Sequence, residues 1–335
     1  MNSSTSNSKA RASGARKTAA ILLLLALFFG GAEVGARKYA RRRQNDLSDP
    51  TDPTSIGARA TRLMQQKGRK IVFVGNSVVQ QGIDLALFER LAGNLAGNSA
   101  PLHTTMAAAT GALGKDWYWM LEHGFWQPKR QPDLFVVLFF SDMLQDTPRE
   151  DQDRGRLAQF FTTPRDWPAV FAVDAPTLGQ RSDFLFSYAS MLFAQRAVTR
   201  GKLLKAVAPG YENCVVQLNA TEQKQSDQQK LAPKTSHLKP PISYRALQRL
   251  LARARQTRSK LCFIAYPTNG KKFAYTVPPQ VIEMIRGAGM TYIDLSHVPE
   301  LTPDKYRDSL HVNKLGMPVF TRRLAPALSP LLVEK

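Results

Sequence analysis

Five short apolar or β-branched runs, each separated from the next by a stretch with helical patterning, constrain this chain more than any other feature. Residues 70–75, 101–106, 133–140, 260–266 and 290–296 are too short for helices and read as buried strands. Residues 84–95, 112–123, 243–257, 278–288 and 313–327 carry the helical pattern. Strands that run parallel need a crossover, and a helix is the usual one. The alternation therefore predicts an α/β fold, a three-layer α/β/α sandwich around a mostly parallel, flavodoxin-like sheet. The interval 143–242 is too long for a single crossover. Within it Leu157, Phe160, Phe161, Phe184, Leu185, Tyr188 and Leu192 recur at near-helical spacing, which predicts a helical insertion. These side chains form either the insertion's own core or a lid over the neighbouring sheet edge. Residues 218–240, rich in Gln, Lys, Ser and Pro, read as a loop.

In open α/β sheets, ligands and nucleophiles collect at the carboxyl ends of the strands. Lys70-Ile71-Val72-Phe73-Val74 runs directly into Gly75-Asn76-Ser77, which puts Ser77 at that edge. Near the other end of the chain, Asp308-Ser309-Leu310-His311 precedes the closing helix. Serine is a weak nucleophile at neutral pH and needs a base. His311 can supply it, and Asp308, three residues earlier, can fix the imidazole tautomer. Taken alone, Ser77 also suits a plain helix cap, and its pairing with Asp308 and His311 favours the catalytic reading. His103, His123, His237 and His297 show no metal-ligand spacing. Gly111-Ala112-Leu113-Gly114 lacks the third glycine and acidic partner of a dinucleotide site, so neither metal nor cofactor is expected.

Ile71 to Asp84 and Asp308 to Gly316 together resemble the signature segments of the SGNH/GDSL hydrolase superfamily, a Gly-Asp-Ser near the N-terminus and an Asp-x-x-His near the C-terminus. The resemblance spans roughly 69–330. It departs at Asn76, where the family has Asp, and at Phe139-Phe140-Ser141-Asp142, where the family has Gly-x-Asn-Asp. It implies a Ser77-His311-Asp308 triad and an oxyanion hole made by the backbone of Ser77, by Gly111 and by Ser141. A membrane-tethered domain of this kind is similar to bacterial proteins that move acyl groups onto or off cell-surface polymers. That likeness implies an acyl ester donor, a glycopolymer acceptor and a multi-spanning membrane acyltransferase as partner. The same triad would serve an esterase that releases the acyl group to water. Ser141, shorter than Asn, leaves room for a third alternative, a silent polysaccharide-binding module.

Residues 18–36 hold the uncharged run Ala19 to Ala32 behind a basic tail, 1–17, and read as a transmembrane signal anchor. Val34-Gly35-Ala36 also fits a cleavage site, so a cleaved signal peptide is the alternative. With the short tail in the cytoplasm, the domain lies on the extracytoplasmic, periplasmic side. Residues 37–68, broken by Asp49-Pro50 and Asp52-Pro53, read as a stalk leading to the α/β domain at 69–330. The formal charge is +20, of which residues 1–43 supply +8 from nine Lys or Arg and one acid. The rest of the chain is still basic. It has no zinc spacing, recognition helix or basic-aromatic RNA signature, which points to anionic headgroups or an acidic polymer and not to nucleic acid. Cys262 sits in an apolar run and reads as a buried small hydrophobe, although a disulfide to Cys214 is open outside the cytosol.

Overall fold

The computed structural model describes residues 6–44, 55–95, 101–140, 143–146, 151–194, 196, 208, 210, 242–270 and 272–332. In chain order, α1 (Ser6–Gln44) and α2 (Ile56–Gln65) precede the first strand, β1 (Arg69–Gly75). Then come α3 (Ser77–Gly82), α4 (Leu85–Leu95), β2 (Leu102–Ala108), α5 (Gly114–Leu121) and β3 (Leu134–Phe139). The insertion contributes α6 (Asp151–Arg156), α7 (Trp167–Val173), α8 (Leu178–Ala189) and α9 (Met191–Ala194). The chain closes with α10 (Arg245–Gln256), β4 (Leu261–Ala265), α11 (Pro279–Gly287), β5 (Thr291–Asp294) and α12 (Gly316–Leu328).

All five strands are parallel, in the order β2-β1-β3-β4-β5. Strand side chains alternate between two apolar layers, as period-two geometry requires. Ile71, Phe73, Val136, Leu138 and Ile264 face α3, α4 and α12, where they meet Val79, Phe88, Phe320 and Leu324. Val72, Val74, Phe135, Val137 and Phe263 face the opposite way. That layer is covered by α2, α5, α10 and α11 through Ala60, Trp117, Leu247 and Ile285. α10 shows why its sequence makes a surface helix: Leu247, Leu250, Leu251 and Ala254, at i, i+3, i+4 and i+7, are buried. Phe73 meets Phe88 edge to face at 5.0 Å, and full burial of each such ring stabilises the fold by roughly 1.5–3 kcal/mol. The result is the three-layer α/β/α sandwich that the alternation of segments predicts.

Two expectations change. Residues 56–65, assigned to the stalk, form α2, and Ile56, Ala60 and Leu63 are buried in the core, because an apolar residue recurs every three to four positions between the polar ones. α1 also runs past the expected anchor to Gln44. In the insertion, Leu157, Phe161 and Phe184 do not make a separate core. They join the layer that holds Trp117 and Met120, with Phe160 and Tyr188 packed at its border. Leu185 is exposed instead, since it lies about 100° round α8 from Phe184 and turns away from the core. Buried Asp174, at the end of α7, ties the insertion to α10 through Arg249 at 2.9 and 3.0 Å and accepts from Trp119 Nε1 at 2.9 Å. Cys262 is buried in β4, and burial pushes its thiol up to about 12. Cys214 and the loop 218–240 lie outside the described residues.

Candidate active site

The strand order reverses direction around β1, which has β2 on one side and β3 on the other. That is the switch point where open sheets leave a crevice at their carboxyl edge, and the first turn out of β1 carries Ser77. The turn is tight for identifiable reasons. A Cβ on Gly75 would lie 2.4 Å from Val79 Cγ2 and 3.1 Å from the Leu138 carbonyl oxygen, so only glycine lets α3 fold back on the strand here. Asn76 caps α3, its Oδ1 accepting from the Val78 N–H at 3.0 Å. An Asp would cap α3 through the same oxygen, so either residue suits this turn. The Asn76 amide nitrogen adds a weak contact to Met143 Sδ at 3.7 Å.

His311 and Asp308 come from a small loop ahead of α12, pinched by an antiparallel bridge between Tyr306 and Val312. The Arg307 N–H donates to the His311 carbonyl at 2.8 Å, and the Asn269 N–H, from the loop after β4, donates to the Ser309 carbonyl at 3.0 Å. Inside this loop Asp308 Oδ1 accepts from the backbone N–H groups of Leu310 and His311, both at 2.8 Å. His311 Nδ1 lies 2.9 and 2.8 Å from the two carboxylate oxygens, and Nε2 lies 2.8 Å from Ser77 Oγ. Burial alone would raise the Asp308 carboxyl, but the two backbone donors and the His311 ring outweigh it and hold the group well below the usual carboxylate range. An ionised carboxylate only accepts, so it requires Nδ1 to carry a proton. Nε2 is then left with its lone pair towards the Ser77 hydroxyl, which donates to it.

Gly111 follows β2 in a left-handed turn at φ +72°. Its loop flanks the Ser77 turn, because Gly75 is in register with Ala108, and Gln80 of α3 bonds the Ala108 carbonyl at 3.3 Å and the Thr110 hydroxyl at 3.1 Å. Arg156, from α6, donates to the carbonyls of Thr110 at 2.6 Å and Gly111 at 3.2 Å, and pairs with Asp116 at 2.9 Å. Asp116 is fully buried, and its carboxylate also accepts from the Leu113 N–H at 3.0 Å. Sequence reasoning missed both residues. Asp116 had a signal, an acid in the first turn of a helix, whereas nothing local marks Arg156. Ser141 lies outside the described residues. His103 and His123 are engaged elsewhere, with the Lys67 carbonyl and with Asp166. Among the described residues no cluster of three or more His, Cys, Asp or Glu could hold a metal.

No protein-family model matches the chain. No curated protein matches it either. Solved structures do. A lipase/acylhydrolase from Enterococcus faecalis is similar at 12% identity and a TM-score of 0.37, covering 78% of this chain and 96% of that one. The acetylxylan esterase Axe2 from Geobacillus stearothermophilus is similar at 12% identity and a TM-score of 0.37, with 80% and 95% covered. A hydrolase from the metagenome of Lake Arreo, Spain, matches at 13% identity and a TM-score of 0.37, with 81% and 100% covered. Independently of these likenesses, the parallel sheet has the three-layer form expected from the sequence, and the turn after its first strand and the loop before its last helix bring Ser77, His311 and Asp308 within hydrogen-bond distance.

Proposed function

We propose that this chain is a membrane-anchored serine acyl-transfer enzyme of SGNH type, working through Ser77, His311 and Asp308. One observation carries the reading: an unbroken line of hydrogen bonds from Asp308 through both nitrogens of His311 to Ser77 Oγ, at 2.8 to 2.9 Å throughout. In the first half-reaction Ser77 Oγ attacks an ester carbonyl and its proton passes to His311 Nε2. The tetrahedral intermediate expels the alcohol, which takes that proton, and an acyl-serine remains. An acceptor hydroxyl then loses its proton to Nε2, attacks the acyl carbon and restores Ser77. The backbone N–H groups of Ser77 and Gly111, with Ser141, are the proposed oxyanion donors.

The acceptor is a hydroxyl of a cell-surface glycopolymer, which the basic charge of the chain and its N-terminal apolar helix support. Water as acceptor would make the same machinery an esterase. The test uses the full chain in detergent with p-nitrophenyl acetate and a surface polysaccharide. Wild type should release p-nitrophenol, acetylate the polymer in proportion to ester consumed and react with a fluorophosphonate probe, and Ser77→Ala should do none of these. Turnover by Ser77→Ala at the wild-type rate would refute the catalytic role. Ester consumption without polymer acetylation would assign the esterase reaction.

A further inference from the structure

Resting on the reading of α1 as a retained anchor, we infer that Glu33 latches the insertion to that anchor and thereby lays α8 on the bilayer surface. The helix long and apolar enough to cross a membrane spans Thr18–Lys38, and its apolar run ends at Ala32, immediately before Glu33. A carboxylate at that depth is costly unless its oxygens are satisfied. Here they are met by the insertion. Glu33 accepts from the Met191 N–H at 2.8 Å, the Leu192 N–H at 3.2 Å and the Ser190 hydroxyl at 2.9 Å. Arg37, one turn on, donates to Glu33 at 2.6 Å and also to the carbonyl of Ala189. The membrane-facing end of α1 and the junction of α8 with α9 therefore sit at one level, the lipid–water boundary.

α8 has the surface this placement requires. Thr177 caps its start, with the Gln180 side chain returning the bond. At 100° per residue, positions 178, 182, 185, 186 and 189 share one face about 100° wide, opposite buried Phe184 and Ser187. On that face Leu178 is 81% exposed and Phe186 61%, and Leu185 is exposed beside them. Single exposed apolar side chains are ordinary, but three on one helical face stay exposed here, even though the Phe186 ring also meets Phe193 at 5.6 Å. Ala189, whose carbonyl meets Arg37, belongs to the same face, and Phe186 is three residues away, about 4.5 Å along the helix. The apolar face is thus continuous with the anchor contact, and its occupant is the acyl–headgroup boundary of the bilayer. Exposed Arg37, Lys38 and Arg181 suit an anionic headgroup layer around it. α8 belongs to the same insertion as Arg156, which holds the Gly111 loop, so the catalytic crevice would be held at a fixed attitude to the membrane.

The test places single NBD-labelled cysteines in the full chain, in a Cys214→Ser background. The labels stand at Leu27→Cys, Leu178→Cys, Phe186→Cys and Glu300→Cys, in phosphatidylcholine–phosphatidylglycerol vesicles with doxyl-labelled lipid. Labels at 27, 178 and 186 should shift to the blue and lose fluorescence to the doxyl groups, while the label at 300 should not. Quenching at 27 without quenching at 186 would overturn the inference and leave the anchor standing. No quenching at 27 would overturn both. Adding Glu33→Ala should abolish quenching at 186 and spare that at 27, with retained p-nitrophenyl acetate turnover showing that the domain is folded. Undiminished quenching at 186 in that variant would overturn the latch.

Discussion

Asp308→Asn is the substitution that most sharply separates a working triad from three side chains that happen to be adjacent. Both backbone donors of the loop, the N–H groups of Leu310 and His311, converge on Oδ1. The amide oxygen of an Asn must therefore occupy that position, which leaves its NH2 where Oδ2 stood, 2.8 Å from His311 Nδ1. An NH2 group only donates, and at 2.8 Å it competes with the Nδ1–H contact to the oxygen at 2.9 Å, so Nδ1 is favoured as the acceptor and the imidazole proton shifts to Nε2. Nε2 then donates to Ser77 Oγ and accepts nothing from it, so the base is lost with no atom displaced. A trapped tautomer costs about 10⁴-fold in kcat where the aspartate is fully enclosed. The Asp308 side chain is 43% exposed, so water can compete for the amide and let part of the population recover. We expect a loss of about 10²- to 10⁴-fold, or roughly 3–5 kcal/mol of barrier. The assay is kcat/KM for p-nitrophenyl acetate with the full chain in detergent, alongside its thermal midpoint. The midpoint should fall only modestly, because the amide oxygen still satisfies both backbone donors while the carboxylate's charge beside His311 is lost. More than a tenth of wild-type activity in Asp308→Asn would refute the assignment.

Two further predictions concern what holds the site. Arg156→Met leaves the fully buried Asp116 carboxylate without its cation, which should cost about 3 kcal/mol, seen as a fall of about 6–12 °C in the midpoint. Asp116→Asn in the same chain should recover part of that loss, and a double variant no more stable than Arg156→Met would contradict a buried-charge origin. The second concerns acid. Because Asp308 is held below its ordinary range, the folded state resists taking up its proton, so its stabilisation is complete above the unfolded carboxyl value of about 4 and fades as the pH drops below that. Comparing urea unfolding of wild type and Asp308→Asn, the stability gap should stay level from about pH 7 to pH 5 and narrow below about pH 4. A gap that widened on acidification would show the sign to be wrong.

The sheet was legible because each strand announces itself locally. Ile71 to Val74, Leu134 to Phe139 and Leu261 to Ala265 are buried on both faces, so they read as unbroken apolar runs between turn residues. The grouping of Ser77, Asp308 and His311 was legible for a different reason. Ser77 is fixed by what Gly75 and Asn76 do to the chain around it, and His311 by a carboxylate only three residues away, so both are short-range statements that a sequence can carry. α2 was misread as stalk because Asp49-Pro50 and Asp52-Pro53 draw attention away from the short amphipathic run that follows.

Arg156 and Glu33 were not legible, and the reason is physical. Each acts on groups far away in sequence, Arg156 on carbonyls some 45 residues earlier and Glu33 on N–H groups about 158 residues later. No local pattern records such a contact. In sequence Glu33 is simply the one acid that follows the apolar run Ala19 to Ala32. In the structure the charge has a purpose that an apolar residue could not serve, since only an acceptor with two oxygens can meet Met191, Leu192 and Ser190 together and still hold Arg37. A residue that weakens a segment's local pattern while satisfying distant donors marks where two parts of a chain must meet. Here the parts are the N-terminal apolar helix and the insertion whose Arg156 holds the Gly111 loop beside Ser77.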